Sequence, residues 1–207
     1  MTRAVRSLLL SVAGAALICI FAFEGGLALP DYRDVIINGG FDSNAANWSH
    51  PENWDSLDSR GSATSGSIRS INNRVAAGVL FEIEQCVPVE AGGRYRLSAD
   101  AYVAPGQQRS PYPGIGVFWF TQPGCPGLGQ PNGPPTLYPS FPTNVWAPVL
   151  SYFDVPAGKS YARMELGAGR GPGENVSPFA VVHYDNVRFS RVDGLVARAV
   201  LPLLISE

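Results

Sequence analysis

Beyond Pro30 the apolar and polar residues alternate with a period of two, the spacing of side chains on the two faces of a β-strand. Residues 34–38 (Asp-Val-Ile-Ile-Asn) form the first such run and stop at the turn signal Gly39-Gly40. Residues 67–72 form a short one. From Val79 to Val89 the alternation is clean: it predicts Val79, Phe81, Ile83, Val87 and Val89 on one face and Glu82 and Glu84 on the other. After the turn at residues 90–93, Arg94 to Val103 alternates again. Tyr95, Leu97, Ala99, Ala101 and Val103 point one way; Arg96, Ser98, Asp100 and Tyr102 point the other. Further strands are expected at 114–120, 145–155, 160–166 and 179–190.

The connections are as informative as the strands. Residues 42–66 are polar yet contain Trp48 and Trp54, which marks an ordered loop. Residues 121–142 hold seven prolines and four glycines, too many for a central strand, and predict a surface excursion. Residues 167–178 read as a glycine-rich loop. About eight strands with no helical period, each with one buried and one wet face, predict an all-β fold: an antiparallel β-sandwich or jelly roll.

The N-terminus has a different pattern. Arg3 and Arg6 precede an uncharged apolar run from Leu8 to Phe23, followed by small residues up to Ala28. This is the pattern of a secretory signal peptide spanning residues 1–28. The run is about 16 residues, short of the roughly 20 that a membrane span needs. The mature domain is then 29–190, with a tail at 191–207, and the expected location is extracellular or periplasmic. The formal net charge of −2, with a single lysine, gives no electrostatic footprint for nucleic acid or an anionic membrane. No stable membrane insertion is expected after cleavage.

Cleavage would leave two cysteines, Cys86 and Cys125. In an oxidising compartment an even count points to one disulfide, with two buried thiols as the alternative. The bridge would close a loop of about 40 residues, worth about 3–4 kcal/mol in the chain-entropy account. Two distant histidines, His50 and His183, complete no zinc set. Nor is there a nucleophile elbow, a zinc-protease helix motif or a phosphate-binding loop, so no enzyme is expected and no catalytic residue is assigned. Glu82-Ile83-Glu84 is similar to part of the E-x-D-x-x-E stretch of jelly-roll glucanases, but the third acid is missing.

Several short motifs do form an ordered series. Asn38-Gly39-Gly40-Phe41-Asp42 followed by Trp48, then residues 65–70 (Ser-Gly-Ser-Ile-Arg-Ser), come first. Residues 85–98, Trp146 to Gly158, and Tyr184-Asp185-Asn186-Val187 follow. Together these resemble CenC-type carbohydrate-binding modules of families four and nine. The resemblance implies a galactose-binding-like jelly roll that recognises a polysaccharide or glycan. It also implies a structural calcium, held by the Gly40 carbonyl and the Asp42 and Asp185 carboxylates, with carbonyls near residues 64–67 completing the shell. Trp48 and Trp146 stand where such modules pack an indole. Trp119 alternates with core residues, and Trp54 is the tryptophan expected to be exposed.

A sugar is held by aromatic faces and planar polar groups. The outward-pointing candidates are Arg96, Asp100 and Tyr102 on one strand, Phe118 on a second, Tyr152 on a third and Arg163 with Glu165 on a fourth. They would form a groove on one sheet. The alternative places Phe118 and Tyr152 beneath the proline-rich excursion as a small second core. Two functions therefore stand: a secreted, non-catalytic glycan-binding module, or a structural or adhesive surface protein that uses the same fold for protein contacts.

Overall fold

The computed structural model describes residues 34–74, 76–108, 110–172 and 179–192. The expected signal peptide at 1–28 and the tail beyond residue 192 lie outside these. Alternation becomes two five-stranded antiparallel sheets. The strands in chain order are β1 (Trp54–Asp55), β2 (Ser67–Asn72), β3 (Gly78–Pro88), β4 (Arg94–Tyr102) and β5 (Tyr112–Phe120). They continue with β6 (Gln130–Pro131), β7 (Thr136–Leu137), β8 (Trp146–Asp154), β9 (Tyr161–Arg170) and β10 (Ala180–Arg191). The first sheet runs β1-β2-β10-β4-β8 and the second β3-β9-β5-β6, with β7 also paired to β5. Among the described residues the sole helical turn is a 3-10 turn at Pro51–Asn53.

The core lies between the sheets. Ile68, Leu97, Ala99, Val149, Phe153, Val182 and Phe189 meet Ile83, Val87, Ile115, Trp119, Met164 and Leu166. Each fully buried side chain of this size contributes about 1.5–3 kcal/mol. Tyr184, also fully buried, spans the layers. Its hydroxyl accepts the Gly114 N–H (3.0 Å) and donates to the Gly167 carbonyl (2.6 Å), so a residue of the first sheet is bonded to two strands of the second.

Unpaired strand edges invite association, and here loop residues cover parts of them. At β3, Ser49 N–H donates to the Glu84 carbonyl, and its hydroxyl donates to the Glu82 carbonyl and accepts the Glu84 N–H. At β8, the Tyr138 hydroxyl accepts Leu150 N–H and donates to Leu150 C=O. The excursion 121–142 thus covers both edges on its side: β6 and β7 pair with β5 while Tyr138 caps β8. The Cys86–Cys125 disulfide ties that excursion to β3.

Four sequence expectations need correction. The run 34–38 is no full strand. It makes one bridge, Asp34 to Ser190, because Asn38 and Phe41 adopt left-handed φ values of 56° and 47°. The 79–89 strand does not keep one face. A bulge between Phe81 and Ile83 shifts the register, so Ile83 pairs with Leu166 in the core while Phe81 and Val79 lie opposite Gly167 and Gly169 on the outside. β9 runs on to Arg170, through glycines that read as loop. Trp54 is half-buried, donates to the Phe41 carbonyl (2.9 Å) and packs where a Cβ on Gly66 would stand.

Candidate functional site

The two outer faces differ in shape and charge. Across the first sheet, Arg69, His183, Tyr102 and Trp146 share one line of cross-strand partners. The Tyr102 ring lies 5.4 Å from Trp146 and 5.9 Å from His183. Burial foremost holds the His183 imidazole below its usual range, Asp55 opposing and Arg69 adding to that effect. Arg96, Asp100 and Tyr152 lie on this same face. Trp146, expected to be packed, is here half-buried beside Tyr102, whereas Trp48 and Trp119 are buried as expected.

Phe118 and Arg163, with Glu165, lie on the opposite side of the sandwich, on the outer face of the second sheet. The six candidates therefore do not form one groove. Sheet membership divides them, because β5 and β9 belong to one layer and β4 and β8 to the other. Phe118 and Tyr152 accordingly share no small core.

The second sheet holds a recess. Gly114 and Gly116 on β5 stand opposite Gly167 and Glu165 on β9, and Gly169 faces Tyr112. Without side chains, the glycines leave room above the sheet for rings. A Cβ on Gly167 would lie 2.6 Å from Phe81 Cδ1 and 2.9 Å from the Leu80 carbonyl, and one on Gly169 2.1 Å from Tyr112. Phe81, freed from the core by the bulge, forms one wall and Phe118 another. The excursion supplies the third wall at Asn132, Pro134 and Pro135, held by Trp119 Nε1–H donating to Asn132 Oδ1 (2.9 Å). The space enclosed is about 130 Å³ and reaches Val117 and Phe153 at the margin of the core.

Glu165 lies on its floor, 5% exposed. Arg163 Nε and Nη2 both donate to Glu165 Oε1, at 3.1 and 2.9 Å, and Arg163 also pairs with Glu84 at 3.5 Å. The guanidinium lies 5.3 Å over both the Phe118 and Phe120 rings, which fixes its plane. Burial pushes the Glu165 carboxyl above its usual range; Arg163 works against this and Glu84 adds to it. Among the described residues nothing donates to Glu165 Oε2, which leaves a planar acceptor for a ligand hydroxyl. The Glu82 carboxylate accepts Ile71 N–H, and Glu84 is paired with Arg163.

Two of the three expected calcium ligands are neighbours. Ser65 Oγ lies 3.1 Å from the Gly40 carbonyl and 3.4 Å from Asp42 Oδ1. Asp185 is engaged elsewhere, accepting Ser59 N–H (3.0 Å) and Asn186 N–H (2.6 Å). Among the described residues no three His, Cys, Asp or Glu side chains converge on a cation position.

The signal that sequence reading missed for the recess is a pair of G-x-G steps, Gly114-x-Gly116 and Gly167-x-Gly169. On a strand, residues two apart share a face, so each pair lets rings pack low on the sheet: Phe81 over Gly114 and Gly167, Tyr112 over Gly169, with Gly116 left to line the recess.

No protein-family model matches the chain, and no curated protein matches it. Solved structures do. One is the enzymatically active domain of tailspike protein 4 of bacteriophage CBA120, with TM-score 0.51, 16% identity, and coverage of 77% of this chain and 21% of that one. Another comprises the CBM22-1–GH10 modules of an endo-1,4-β-D-xylanase from Clostridium thermocellum complexed with xylohexaose, with TM-score 0.50, 11% identity and coverage of 78% and 29%. A third is the CBM22-1 xylan-binding domain from Paenibacillus barcinonensis, with TM-score 0.50, 10% identity and coverage of 78% and 96%. The chain thus spans about a fifth of the tailspike domain and under a third of the xylanase chain. At these identities the likeness establishes the fold: an all-β, two-sheet sandwich of the jelly-roll kind seen in carbohydrate-binding modules.

Proposed function

We propose that this chain is an exported, non-catalytic carbohydrate-binding module whose ligand lies in the recess on the second sheet. The carrying observation is the space between Phe81, Phe118 and the Asn132–Pro135 wall, with Gly116 and Glu165 on its floor and no donor to Glu165 Oε2 among the described residues. An apolar ring face suits the phenyl walls, and a carboxylate oxygen accepts a sugar hydroxyl in a charge-assisted bond. The names of two similar structures, a xylan-binding domain and a xylanase complexed with xylohexaose, make a neutral β-1,4-linked glycan the first probe. Export accords with the expected signal sequence and with the disulfide.

Affinity electrophoresis on soluble xylan, glucan and mannan tests the reading. Retardation by at least one glycan is expected, weakened on the order of tenfold by Glu165→Gln, which loses a charged acceptor, and lost in Phe118→Ala. Absence of retardation on every neutral glycan would sink it. The adhesive reading has an observation of its own, the exposed Leu150 and Tyr152 on β8 with Val145 just before it, a surface composition that suits protein contact. Calcium, if bound, would sit at the Gly40 carbonyl and Asp42. A melting temperature that does not change on chelation would remove it.

A further inference from the structure

The outer face of the first sheet holds two arginines, Arg96 and Arg188, that make no hydrogen bond among the described residues. Arg96 on β4 stands opposite Ser190 on β10, and Arg188 on β10 opposite Ser98 on β4. They are diagonal neighbours on one face, a spacing of roughly 7–8 Å that long side chains bridge. The other arginines near them are engaged. Arg94 pairs with Asp154 (3.8 Å) and lies over the Tyr152 ring, Arg69 pairs with Asp55, and Arg191 with Glu90. The carboxylates are engaged as well: Asp100 accepts from Asn186, Asp185 from Ser59 and Asn186, and Asp34 Oδ1 from the Ile36 and Phe189 N–H groups.

Among the described residues neither Arg96 nor Arg188 makes a hydrogen bond or salt bridge, although the Arg188 charge acts on the nearby Asp34 carboxylate. The Arg96 Nε is buried without an acceptor, a state that carries an unmet desolvation cost. Beside them on β8, Leu150 stands opposite Ser98 and Tyr152 opposite Arg96, 46% and 48% exposed. Two guanidiniums without hydrogen-bond acceptors, a serine hydroxyl and an apolar margin are therefore neighbours on three adjacent strands.

We infer that this patch is a second ligand site, separate from the recess, which takes an acidic saccharide through its carboxylate or sulfate group. A guanidinium fork matches such an oxyanion in two parallel hydrogen bonds, Ser98 can bond a ring hydroxyl, and Leu150 with Tyr152 can cover an apolar ring face. The recess has the opposite bias, since Glu165 and Glu84 share the single Arg163 there.

The test is affinity electrophoresis of the protein on polygalacturonate, dextran sulfate, neutral xylan and polyglutamate, at low and at physiological salt. Retention on polygalacturonate or dextran sulfate is expected, and the comparison identifies which oxyanion is preferred. Arg188→Ala, at an exposed position, should lower that affinity on the order of tenfold, as for a lost charged hydrogen bond. Arg96→Ala should do the same, while Phe118→Ala leaves it unchanged. Near-UV circular dichroism checks the fold of each variant. No retention on either acidic glycan, retention indifferent to Arg188→Ala, or equal retention on polyglutamate would overturn the inference. Loss of xylan binding alone would bear only on the recess.

Discussion

Replacing Tyr184 with Phe removes one oxygen from the point where the two sheets are bonded together. The ring stays, fully buried, so no cavity opens. What changes is the pairing of Gly114 N–H and the Gly167 carbonyl, both of which use that hydroxyl. Each buried polar group left without a partner costs about 1–3 kcal/mol, so Tyr184→Phe should destabilise the domain by about 2–4 kcal/mol. At a urea slope of about 2 kcal/mol/M, the midpoint should fall by roughly 1–2 M with the slope unchanged. Burial drives the phenol pKa upward against the pull of the Gly114 and Gly167 backbone, so the hydroxyl stays protonated throughout the accessible range. Urea unfolding followed by tryptophan fluorescence reads this out. A loss below about 0.5 kcal/mol, the scale of an ordinary surface change, would refute the view that this hydroxyl fastens the layers.

Cys86→Ser with Cys125→Ser should cost about 3–4 kcal/mol in unfolding experiments, given the separation of 39 residues. Gly167→Ala brings a methyl to 2.6 Å from Phe81 and 2.9 Å from the fixed Leu80 carbonyl, so it should destabilise by about 1–3 kcal/mol as overpacking does; it should also narrow the recess and weaken any glycan binding. His183 has its imidazole pKa depressed, so the unfolded chain takes up the proton first. Its contribution to stability is present above the ordinary imidazole pKa and is lost as pH falls through the folded value. Urea midpoints measured from pH 8 down to 5 should therefore fall more steeply for the wild type than for His183→Gln, and parallel curves would count against this.

Local alternation carried much of the fold. Arg94 to Tyr102 keeps its faces because nothing interrupts its ladder, and Trp119 is buried where its neighbours Ile115 and Val117 predicted. Alternation failed at Phe81 because one extra residue inverts every side chain before it, and a bulge leaves no local mark in sequence. It failed again at Gly167 and Gly169. Glycine weakens a strand on average, yet here the glycines are the ladder, with Phe81 and Tyr112 packed over them. The candidate residues were separated for a different reason. Phe118 and Tyr102 each point outward, but outward from different layers, and layer membership is set by long-range pairing. The cysteine bridge was legible by count alone. That it secures a wall of the recess was not, since the wall's place depends on β6 and β7 pairing with β5.

The most direct measurement of the central claim is amide chemical-shift mapping during titration with xylohexaose, or with whichever neutral oligosaccharide retards the protein. The account predicts shifts centred on Phe81, Gly114, Gly116, Phe118, Asn132 and Glu165, with Tyr102, Trp146 and the rest of the first sheet's outer face unmoved. Shifts centred on Tyr102 and Trp146, with the glycine floor silent, would contradict it.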